Sequence, residues 1–120
     1  MERENAEGFR LKMEGLSGAF KSERVRWLVG KENEIKANSK MSNEAFKELI
    51  SKTVKEEAER SIIVSELKRR NEGTIAEIAS STSMPPKLVL KHVLALLKSG
   101  FVAFAGEREG EYVFASQEPP

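Results

Sequence analysis

The stretch from Thr74 to Ala115 is punctuated so densely that few folds remain open to the chain. Thr74-Ile75-Ala76-Glu77 is a capping box: threonine at the N-cap and glutamate three residues on, each placed to satisfy an unpaired helix-terminal amide. It predicts a short helix with Ile75, Ile78 and Ala79 facing inward, followed by a polar turn over Ser80 to Ser83. Pro85-Pro86 can open a helix but cannot sit inside one, so a second helix is expected from Lys87 to Ser99. Gly100 is placed to close it. Two β-prone runs follow, Phe101 to Ala105 and Glu111 to Ala115, with Gly106 to Gly110 between them as a hairpin connection. Upstream, Ile62, Ile63 and Leu67 mark a helix that stops near Asn71-Glu72-Gly73.

The first half reads differently. Residues 1–58 are charged, helix-forming and free of proline. Phe9, Met13, Leu16 and Phe20 recur as one face of a helix that Gly8, Gly15 and Gly18 weaken, each at about 1 kcal/mol against alanine. Ser22 is a cap for a second helix carrying Val25, Leu28 and Val29, with Gly30 near its end and Ile35 in a continuation. Ser42 caps a third, whose stripe is Phe46, Leu49, Ile50, Thr53 and Val54 and which runs towards Arg60. The expected organisation is a helical segment over 1–58, a second domain over 59–116 and a tail over 117–120.

Composition removes most chemistry. The 120 residues include no cysteine and no aspartate; all 19 acidic residues are glutamate, and His92 is the single histidine. Disulfides, thiolate metal sites, cysteine nucleophiles and catalytic triads are therefore excluded, and a zinc site would have one imidazole to work with. An enzyme is not expected, nor a metal or cofactor. No apolar run approaches the roughly 20 residues of a membrane span, and the start Met1-Glu2-Arg3-Glu4 lacks the basic and apolar regions of a secretory signal. No membrane association and a cytoplasmic location are the expectations. Net charge is +1 and neither half is basic, so any cationic surface must be local.

Three helices followed by a hairpin is the order of a winged helix. Thr74-Ile75-Ala76-Glu77-Ile78-Ala79 resembles the second helix of ArsR- and MarR-type winged helix-turn-helix domains. Lys91-His92-Val93-Leu94-Ala95-Leu96-Leu97-Lys98-Ser99-Gly100-Phe101-Val102 resembles their third helix and the start of the wing. The resemblance covers about half the chain and stops short of residues 1–58. The fold it implies is mainly α with a small β-hairpin: a winged helix preceded by an N-terminal helical segment. The function it implies is binding of double-stranded DNA by a small transcriptional regulator, with the third helix in the major groove.

A helical wheel divides the third helix. Val89, Val93, Leu96 and Leu97 form its core face, and Lys87, Lys91 and Lys98 form a stripe opposite. The expected DNA contacts are Lys87, Lys91 and Lys98, helped by Thr82, Ser83 and His92, with Arg108 as the wing's cation. Three features point elsewhere. Leu88 and Leu90 flank core Val89 where the resembled domains usually carry small polar residues. The wing tip Glu107-Arg108-Glu109-Gly110-Glu111 is net negative, which weakens binding to a phosphate backbone. Ser83 stands where those domains commonly have glycine.

The leucines have two readings: they pack on the N-terminal helices, within the same chain or across a dimer, or Leu88, Leu90 and Leu94 dock another protein, making the domain an adaptor or accessory subunit. Trp27 is expected to anchor the N-terminal helices or the seam of a homodimer, and Tyr112 to pack under the wing. The N-terminal helices, short of partners, are expected to pair across that homodimer.

Overall fold

The computed structural model describes residue 13 and residues 15–118. Phe9, expected on the first helical stripe, lies outside them. The chain divides at Glu59 and Arg60 into two compact units.

The first unit is helical. Residues 15–21 form α1, followed by α2 (Glu23–Gly30), α3 (Glu32–Ser39) and the beginning of α4 (Asn43–Arg70). Ser22 caps α2 as expected, its Oγ accepting from the Val25 amide at 3.5 Å. Ser42 caps α4 through the Ala45 amide at 3.1 Å. Lys36 donates to Glu32 Oε2 at 2.7 Å and to Asn43 Oδ1 at 2.6 Å, and its ammonium lies 5.3 Å from the centre of the Phe46 ring. Ala19, Val25, Leu28, Phe46 and Thr53 are buried. The apolar stripe of α1 is not: Met13, Leu16 and Phe20 are exposed, and the small residues Gly15 and Ala19 are the buried ones. Trp27 is also exposed, so it anchors nothing within this unit.

The second unit is built around three helical segments and a sheet: α4 from Arg60 onward, β1 (Gly73–Thr74), α5 (Ile75–Thr82), α6 (Pro86–Ser99), β2 (Val102–Arg108) and β3 (Glu111–Ser116). The sequence suggests two helices over 42–71; the structure has one, 28 residues long. Nothing between Val54 and Ile62 breaks a helix, and Glu56 and Glu57 receive Arg24. The stop is set by Asn71, in the left-handed region at φ 75°, rather than by Gly73, which joins the sheet. The strand order is β1-β3-β2, antiparallel throughout, so the expected two-stranded wing has a third, two-residue strand at its edge. Helix α5 continues through the expected polar turn to Thr82.

One core holds the unit together. Ile63 and Leu67 of α4, Ile78 and Ala79 of α5, Val89, Val93 and Leu96 of α6, Val102 of β2 and Phe114 of β3 pack as a single cluster. Truncating one of its large aliphatic residues to alanine costs about 2–5 kcal/mol. Gly100 closes α6 at φ 85°, its amide donating to Leu96 and Leu97 carbonyls, a conformation that a Cβ disfavours. This is a winged helix-turn-helix domain, mainly α with a small antiparallel sheet and preceded by helices. Among the described residues no helix is long and apolar enough to cross a membrane.

Candidate functional site on the third helix and wing

Helix α6 turns Val89, His92, Val93 and Leu96 inward. Its outward arc carries Lys87, Leu90, Lys91, Leu94 and Lys98, all exposed. At 100° per residue these five fall within about 100° of one another, leucines along one flank and lysines along the other. The three expected lysines therefore share one outward face. Leu90 and Leu94 stand beside them, 44% and 50% exposed. Leu88 is half-buried.

Two of the expected DNA contacts lie inside the domain. Thr82 is buried and its hydroxyl donates to the Ile78 carbonyl at 2.6 Å, a bond to its own helix that keeps it from any groove. His92 is fully buried, and its Nδ1 accepts from Arg60 Nε at 3.1 Å. It links α6 to α4 and presents no edge to a ligand. Ser83 is exposed and takes the left-handed conformation at φ 58°, so the turn keeps the backbone geometry a glycine would supply.

Arg108 is the only cation of the wing, and it is folded back. It donates to Glu77 Oε2 at 3.2 Å and lies 4.0 Å from Glu72 Oε1. Glu77 is a hub: Oε1 accepts from the Thr74 amide at 3.0 Å, completing the capping box, and Oε2 also receives Arg70 at 3.0 Å. The Thr74 amide above all, and then Arg108 and Arg70, hold its carboxyl below the ordinary value of 4.5. With Arg108 turned towards α5, the exposed side chains at the tip include the carboxylates of Glu107, Glu109 and Glu111.

The wing also carries aromatic surface that the sequence does not announce. Phe104 and Tyr112 meet edge to face with centroids 5.4 Å apart, and Phe104 meets Phe114 at 6.5 Å. Phe114 is buried, but Phe104 and Tyr112 are 58% and 63% exposed. Tyr112 therefore does not pack under the wing. The strand register explains the ridge. Phe104 pairs Phe114 and Glu107 pairs Tyr112, with a bulge between Phe104 and Gly106 that keeps both pairs on one face. Arg108 and Glu111 pair on the opposite face. The alternation visible in the sequence is broken by that bulge, so only the pairing register reveals the Phe104–Tyr112–Glu107 surface.

Residues 60–107 match the family of the RNA polymerase III subunit RPC82 helix-turn-helix domain, which is less than half of the chain. No curated protein matches the chain. The match supports a winged helix-turn-helix domain but not the ArsR or MarR type, because the pattern from Lys91 to Val102 encodes helix, glycine stop and strand in the way winged helices generally do.

Proposed function

We propose that the winged helix is a protein-interaction module, serving as an adaptor or accessory subunit that docks through the outward face of α6. One observation carries this: Leu90 and Leu94 are exposed along one flank of the surface that a DNA reader would place against the duplex. Leucine offers no hydrogen bond to a base, and its contact with water favours an apolar partner surface. The burial of Thr82 and His92 supports the same reading, since it removes two polar contacts from a DNA interface. The matched family takes its name from a polymerase subunit, a chain that works within a multi-protein assembly. The reading assigns no catalysis.

Double-stranded DNA binding by a transcriptional regulator is the second reading, and Lys87, Lys91 and Lys98 on one exposed arc favour it. The two separate in one assay. Under the docking reading the protein shows no retention on duplex DNA even at low salt. Retention that falls steeply with salt, and that Lys87→Glu and Lys91→Glu abolish while Leu90→Glu spares it, would establish DNA binding instead.

A further inference from the structure

The second unit carries two exposed surfaces of opposite character. The α6 arc combines Leu90 and Leu94 with three ammonium groups. The wing ridge combines Phe104 and Tyr112 with the Glu107 carboxylate on the same sheet face, and Glu109 and Glu111 stand near it at the tip. Each surface has the apolar centre the other needs, and each has the charge the other lacks. The sole wing cation, Arg108, is paired with Glu77 and lies on the face of the ribbon opposite Glu107 and Tyr112, so the ridge itself carries negative charge alone. We infer that the occupant of the α6 face is the wing of a second copy of this chain, with the contact made twice about a two-fold axis.

Reciprocity matters to the energetics. One ridge on one helix stripe is small against the about 800 Å² per partner that a stable interface buries. A two-fold arrangement uses each surface once on each chain, so both chains contribute both halves and the assembly closes at two. The aromatic edges supply buried area at low side-chain entropy, and the lysine–glutamate pairs set register and exclude a mismatched approach. The inference rests on the reading of the α6 arc as a protein-docking surface and names what docks there. It places the dimer seam in the winged helix rather than in the N-terminal helices.

The test uses the full chain in sedimentation equilibrium over a wide concentration range. The expected result is a dimer that Lys87→Glu and Glu107→Lys each weaken by about tenfold or more. An equimolar mixture of those two variants should regain the dimer, because in the mixed pair every lysine–glutamate contact is again of opposite sign. Tyr112→Ser, at an exposed position, should weaken association without loss of helical circular dichroism. A mass that stays at one chain throughout overturns the inference, as does a dimer indifferent to both charge reversals. The DNA-retention assay reads the parent proposal separately: salt-sensitive retention defeats the docking reading itself, whereas no retention and no dimer defeats only the choice of a second copy.

Discussion

Glu77 receives three kinds of donor: the strand amide of Thr74, Arg70 at the end of α4 and Arg108 in the wing. A carboxyl held below its ordinary value of 4.5 stabilises the fold in its charged form. That contribution is complete above the unfolded value and is lost as pH falls below it through the depressed folded value. Glu77→Gln should therefore lower stability at neutral pH and flatten its decline in the acid range, as read by urea midpoints taken from pH 7 down to pH about 3. An unchanged acid profile would remove the hub from the account. Thr74 and Glu77 were legible as a pair because the capping box is local, spanning three residues with defined donors at each end. Arg108 was not legible as their third member, since its approach depends on a strand pairing 31 residues away. The burial of His92 was hidden for a related reason: its position beside the core face is visible on a helical wheel, but the Arg60 side chain that donates to it is 32 residues distant.

At the level of elements, the hairpin turn shows where local chemistry and observed geometry disagree. Arg108 pairs Glu111, leaving Glu109 and Gly110 as a two-residue connection with φ 52° and 83°. Positive φ at both positions is the mark of a type I′ turn, which favours Asn-Gly. Glutamate at the first position hid the tight turn inside an apparent five-residue loop. Replacing it, Glu109→Asn, should stabilise the domain by about 0.5–1 kcal/mol, measured as a rise in the denaturation midpoint. No gain would mean that the turn relaxes in solution. The ends of α2, α5 and α6 were readable from Ser22, Thr74, Pro85-Pro86 and Gly100, because caps and breakers act within one turn. The single span of α4 was not readable, since two separately signalled segments carry no mark of their fusion. The exposure of Leu16 and Phe20 on α1 was not readable, since a helical wheel shows which residues share a face and not whether that face is covered.

For the whole molecule, the winged-helix plan was accessible because its core residues obey their element's period, and Ile78, Val89, Val93 and Leu96 all lie inward. Surface function was less accessible. Which apolar residues stay uncovered is decided by tertiary packing: Leu90 and Leu94 were candidates from the sequence, but the Phe104 and Tyr112 surface came to light only with the fold. The Glu77 hub has a final consequence for how the domain opens. One carboxylate bonds the edge strand through Oε1 and the arginines of α4 and the hairpin through Oε2, so none of these can fray without disturbing the same group. Amide protons of β1, the first turn of α5 and the β2–β3 ribbon should then exchange with deuterium as one cooperative foldon, with a shared opening free energy that Glu77→Gln splits into separate rates.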